Sequence, residues 1–68
     1  MNWEQIEGSW HQVKGKFKEK WNDFTDDEWD QIEGRRENLV GKLMSKYSMS
    51  REQAEREVDE FGGHITFH

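Results

Sequence analysis

The sequence predicts an all-α fold, a small helical bundle. Three observations predict it: apolar residues recur at steps of three and four, proline is absent, and helix-starting motifs punctuate the chain. An interior proline would cost a helix about 3 kcal/mol, so its absence suits this class.

The first element follows from Trp3, Ile6, Trp10, Val13, Phe17, Trp21 and Phe24, one continuous apolar stripe. It predicts a single amphipathic helix to about Trp21, with Asn2 as N-cap and Glu4 near the positive end of the helix dipole. Strand alternation does not fit. Next, Thr25 and Glu28 have capping-box spacing, and Asp26 and Asp27 add favoured negative charge to the same first turn. A short helix from Asp26 presents Trp29 and Ile32 and ends or bends at Gly34. A further run carries Leu39, Val40, Leu43, Met44 and Tyr47 at helical spacing. Ser50 and Gln53 form a second candidate capping box, ahead of Ala54, Val58 and Phe61. Gly62 is placed as a left-handed C-cap. These signals give one helical domain over residues 1–61 and a tail over 62–68, folded back through Ile65 and Phe67. The expected buried core is Trp10, Val13, Phe17, Trp29, Ile32, Leu39, Leu43 and Val58.

The chain also says nearly the same thing twice. At an offset of 26, Trp3, Gln5, Ile6, Glu7, Gly8, Gly15, Lys16 and Lys20 recur as Trp29, Gln31, Ile32, Glu33, Gly34, Gly41, Lys42 and Lys46. Val13/Leu39, Phe17/Leu43 and Trp21/Tyr47 match in kind. Two similar helical units would bury stripes that neither could bury alone. Chance recurrence within a restricted helical alphabet is the competing explanation. Gly15 and Gly41 lie inside their helices, where glycine costs about 1 kcal/mol relative to alanine; close helix–helix contact would compensate.

Composition narrows the function. The chain has 68 residues, no cysteine, 37% charged residues and a formal net charge of −5. Without cysteine there is neither a disulfide framework nor a thiolate zinc site. No apolar run is long enough to span a bilayer, and no secretory leader pattern opens the chain. A cytoplasmic monomer with no membrane association is expected. Charge comes in blocks. Residues 9–21 hold four lysines and one glutamate, residues 22–33 six acids and no base, residues 34–47 four bases and one glutamate, and residues 50–61 five acids and two arginines. Neighbouring helices of opposite sign should attract, which bears on specificity more than stability because surface pairs contribute about 0–1 kcal/mol each.

Chemistry-bearing patterns are few. Asp23, Asp26, Asp27, Glu28 and Asp30 lack the glycine turn and terminal glutamate of a calcium loop, and capping accounts for Thr25–Glu28 without a metal. His64 and His68 are four apart in the tail with no third ligand indicated, and His11 falls on a polar face. No serine or threonine has a convincing base partner, and no phosphate-cradling glycine loop is present. No enzymatic activity, catalytic residue, metal or other cofactor is expected. The best binding candidate is a basic surface of Lys14, Lys16, Lys18, Lys20, Arg35 and Arg36. Clustered cations contact phosphates, and an aromatic such as Trp21 could stack on bases. Against it stand the net charge and a pI near 5.1, which favour a solvated polar face. A protein partner docked on aromatics at the Trp3 end is the other possibility.

"WHQVKGKFKEKW", Phe24-Thr25 followed by "DD", "IEGRRENLVGKL" and "KYSMSREQAEREVDEF" together resemble the CsbD-like family of small bacterial proteins, over about residues 9–61. The resemblance implies a bundle of four or five helices, with two helical hairpins packed roughly orthogonally. It also implies a role in general stress responses through binding or protection, and it supplies no catalytic or ligand residues to carry over. Two departures stand out. Ser48 follows Tyr47 where the family commonly has glycine, and the Trp3–Gly8 segment is less typical.

Overall fold

A computed structural model describes residues 3–65; Asn2, Phe67 and His68, invoked above, lie outside them. Five helices follow one another: α1 (Trp3–Gly8), α2 (Trp10–Lys20), α3 (Asp26–Ile32), α4 (Arg36–Tyr47) and α5 (Arg51–Gly63). Helices α4 and α5 form the most extensive pairing, α3 packs on α4, and α1 folds against α2. Among the described residues no helix is long and apolar enough to cross a membrane.

The expected stripes meet in one core. All eight predicted core residues are buried, joined by Ile6, Trp21, Phe24, Val40 and Ala54. Phe17 is the centre. Its ring lies 4.9 Å from Phe61, 5.2 Å from Trp10, 6.0 Å from Trp3, 6.1 Å from Trp21 and 6.4 Å from Trp29, between centroids. Tilted, edge-on and, with Trp21, stacked aromatic packing of this kind adds about 0.5–1.5 kcal/mol per pair beyond area burial. The arrangement also has a cost, because the buried indole N–H groups of Trp3, Trp10 and Trp29 find no acceptor. No polar or charged residue among those described is buried.

The capping predictions hold at α3. The Thr25 hydroxyl accepts from the Glu28 N–H at 3.2 Å, and the Glu28 carboxylate accepts from the Thr25 N–H at 2.9 Å. At α5 the box is half made. Ser50 Oγ accepts from the Gln53 N–H at 3.1 Å, while the Gln53 side chain donates to Glu57 instead.

Three expectations are corrected. The first helix is not continuous: Ser9, at φ −112° and ψ 24°, interrupts it and caps α2 without a side-chain hydrogen bond. The bend turns α1 back onto the body, where Ile6 is buried and Glu7 reaches Arg35. Gly62 is no left-handed cap. It is buried inside α5, which runs on to Gly63 and is capped by His64 in right-handed geometry. The half-buried Ile65 then packs against the core, which gives the chain reason to keep coiling past Phe61. Gly15 and Gly41 make no close helix contact, since both are exposed and a Cβ on either would meet nothing within 4 Å. The glycine that does permit close approach is Gly34. Its φ of +74° ends α3 together with left-handed Glu33, and a Cβ there would lie 2.9 Å from Glu7 Cα.

The internal repeat has a structural counterpart. Adding 26 to α2 (Trp10–Lys20) gives 36–46, the span of α4 to within one residue, and adding it to Ser9 gives Arg35, the N-cap of α4.

Candidate functional site

Four of the six basic candidates face carboxylates within the fold. An α-helix places residues i and i+4 on one face and i+2 nearly opposite, so the alternating lysines of "KGKFKEK" divide into two sets. Lys14 and Lys18 face α3: the Lys14 ammonium lies 3.2 Å from Asp30 Oδ1, and Lys18 contacts Asp26 Oδ1. Lys16 and Lys20 point elsewhere. With Glu19 they line a shallow depression of about 420 Å³ whose far wall is Phe61, His64 and Ile65. The Lys20 ammonium lies 6.0 Å from the Trp21 ring centroid.

The arginines diverge as well. Arg35 Nε donates to Glu7 Oε2 on α1 at 3.0 Å. Arg36 grips Asp59 on α5 through two nitrogens and lies 3.5 Å from Glu37. The basic residues adjacent in sequence therefore serve three helix–helix junctions, α2–α3, α1–α4 and α4–α5. Lys46–Glu28 and Arg51–Glu37 extend the same lattice, at 3.2 and 2.8 Å. Sequence reasoning anticipated attraction between oppositely charged blocks but missed the individual partners. Glu7, Glu37 and Asp59 came from outside the acidic block 22–33, and only the tertiary fold brings Glu7 to Arg35, Asp59 to Arg36 and Glu37 to Arg51.

The electrostatics follow from these contacts. The hydrogen bond from Lys18 holds the Asp26 carboxyl below its ordinary range. The Thr25 backbone N–H, seconded by Lys46, does the same for Glu28, and the Arg36 guanidinium does so for Asp59. The Arg36 and Arg51 guanidiniums are shifted up, chiefly by hydrogen bonds to Asp59 and Glu37. Tyr47 is pushed up by burial and then by its hydrogen bond with Asp23. Apart from Tyr47, each shift is led by a bond that favours the charged form. A general acid needs the opposite, a carboxyl held neutral near pH 7.

A second depression, of about 510 Å³, lies where the α1–α2 bend meets the end of α3, lined by Glu7, Trp10, His11, Asp30, Glu33 and Arg35 among others. Two of its acids, Glu7 and Asp30, are held by Arg35 and Lys14. Among the described residues no three His, Asp or Glu side chains gather as a metal-ion ligand set.

The CsbD-like family model matches residues 4–56. The chain belongs to the CsbD-like family. A UPF0337 protein of Nitrosomonas europaea is 54% identical over 61 residues, covering 90% of this chain; the chain spans 65% of that relative's length. A UPF0337 protein of Pseudomonas aeruginosa is 46% identical over 65 residues, 96% of this chain and 100% of the relative. One of Pectobacterium atrosepticum is 44% identical over 68 residues, 100% of this chain and 99% of the relative. No solved structure matches this CsbD-like chain. The match begins at residue 4 and so takes in nearly all of α1, the segment that sequence reading treated as less typical of the family.

Proposed function

We infer that this chain is a non-enzymatic bacterial stress-response protein of the cytoplasm, acting on other macromolecules through its hydrated surface rather than through a reactive cleft. The observation that carries this reading is the lattice of ion pairs. Lys14, Lys18, Arg35, Arg36, Lys46 and Arg51 each face a carboxylate across a helix junction. The carboxylates with displaced titration are held ionised, which suits a strongly hydrated surface and not proton transfer at neutral pH. A mean hydropathy of −1.29 and the net charge of −5 favour solubility and weak, non-specific contact with clients. The nucleic-acid reading fares less well, because four of the six cations on which it rests already have acidic partners in the fold.

The test is light scattering during heat aggregation of two unrelated enzymes, with and without the protein. Suppression of aggregation in both, graded with dose and without a fixed stoichiometry, is expected. No suppression of either overturns the reading. A saturable complex with an oligonucleotide that weakens steeply between about 0.05 and 0.2 M salt overturns it in favour of polyanion binding.

A further inference from the structure

The bend at Ser9 joins two segments whose apolar residues keep one helical register. Trp3, Ile6, Trp10, Val13 and Phe17 run at steps of three and four straight through it. Ser9 is the one residue between α1 and α2, its backbone lies near the edge of helical space, and its side chain makes no capping bond. Each helix keeps its backbone ladder right up to the bend, so straightening need break neither: the Ser9 N–H donates to the Gln5 carbonyl at 3.0 Å, closing α1, and the Val13 N–H donates to the Ser9 carbonyl at 3.1 Å, opening α2. The segment therefore has two structures within easy reach. One is the bent form, and the other is a single helix of about 27 Å over residues 3–20.

In the bent form, α1 is only six residues long, too short to be helical by its own propensity. Its seat on the body holds it. Trp3 lies against the Phe17 ring, Ile6 is buried, Glu7 meets Arg35, and the backbone at Glu7 passes so close to Gly34 that a Cβ there would be 2.9 Å away. Straightening the bend lifts Trp3 and Ile6 out of this seat and leaves it empty. The segment shaped to refill it is α1 of a second copy, which brings the same residues to the same contacts.

We propose that α1 is an exchangeable arm: Ser9 straightens, and two copies of the chain swap α1 into each other's seats to form a symmetric dimer. The bent monomer is the dilute species. The swapped dimer keeps every α1 contact and converts the one non-helical residue of each arm into helix. Exchange of an identical element is a low-cost route to a dimer because its interface is already formed within the monomer. The proposal concerns self-association and does not depend on which macromolecule the surface serves.

Sedimentation from micromolar to millimolar protein tests it, with Ser9 varied as the hinge. Ser9→Ala favours the straight helix and should lower the dimer dissociation constant about fivefold, and Ser9→Gly should raise it about fivefold, the hinge counting twice per dimer. Gly34→Ala obstructs the seat in both forms, so α1 has nowhere to dock and the chain should sediment as a monomer with α1 unseated. In a dimer made from equal parts carbon-13-labelled and unlabelled protein, filtered NMR should show contacts between Trp3 of one copy and Phe17 of the other. A Ser9→Ala protein monomeric at millimolar concentration would falsify the exchange. So would a dimer indifferent to Gly34→Ala, or one without Trp3–Phe17 contacts between copies.

Discussion

Arg36 and Asp59 meet as a two-pronged pair across the α4–α5 junction, with Nε 2.7 Å from Oδ1 and Nη2 3.0 Å from Oδ2. Parallel guanidinium–carboxylate bonds of this kind are stronger and more directional than a single contact. Arg36 stands at the first position of α4 and Asp59 in the third turn of α5, so the pair fixes the register of the tightest helix pairing.

A double-mutant cycle on Arg36→Ala and Asp59→Ala, read by urea denaturation, should give a coupling of about 0.5–1 kcal/mol, the upper part of the range for surface pairs. Arg36→Lys should recover less than half of it, because an ammonium cannot make both bonds.

The glycines separate by role. Gly15→Ala and Gly41→Ala should each stabilise the protein by about 1 kcal/mol, since both sites are helical, exposed and open to a Cβ. Gly34→Ala should destabilise it by about 2 kcal/mol or more, from left-handed strain together with the clash at Glu7 and Trp10. Ser48 is a third case. It caps α4 at φ 56°, so Ser48→Gly should raise stability by about 0.5–1 kcal/mol. Thermal melts order the four variants.

Acid should weaken the fold over a defined window. Asp26, Glu28 and Asp59 are held below their ordinary values of 3.8, 4.5 and 3.8. In that window the unfolded chain binds more protons than the native one, so stability rises with pH. Their contribution is complete above the ordinary values and is lost as pH falls through the lowered ones. Urea midpoints should be flat from about pH 5 to 7 and fall below pH 4. Glu28→Gln should shallow that fall, because glutamine still accepts the Thr25 N–H but does not titrate.

Truncating the centre of the aromatic cluster tests the core. Phe17→Ala removes a ring packed against five others and should cost about 3–5 kcal/mol. In a chain this short, that is enough to leave a large unfolded fraction at room temperature, visible as lost peak dispersion in an amide NMR spectrum.

The sequence shows helix periodicity and capping plainly because both are local. The eight core residues and the Thr25–Glu28 box needed only spacings of three and four. The break at Ser9 was harder to read, because the apolar stripe runs through it unchanged. One signal did mark it. The 26-residue offset maps Gly8-Ser9 onto Gly34-Arg35, where a break was expected, so the repeat carried information that the stripe did not. The continuation of α5 through Gly62 depends on Ile65 reaching the core, a contact that local rules do not contain. The basic cluster misled for a related reason. Lysines two apart look like one patch in one dimension, but a helix sends Lys14 and Lys18 one way and Lys16 and Lys20 another. The acids that meet Arg35 and Arg36 lie 28 and 23 residues away.

Lys14, Lys18, Arg35 and Arg36 are engaged by the chain's own acids. An amide NMR titration with duplex and single-stranded oligonucleotides at low salt tests it most directly. Dispersed peaks should stay in place at Lys14, Lys18, Arg35 and Arg36 as oligonucleotide is added. Saturable shifts centred on those four residues, lost on adding salt, would contradict it and show that the ion pairs yield to phosphate.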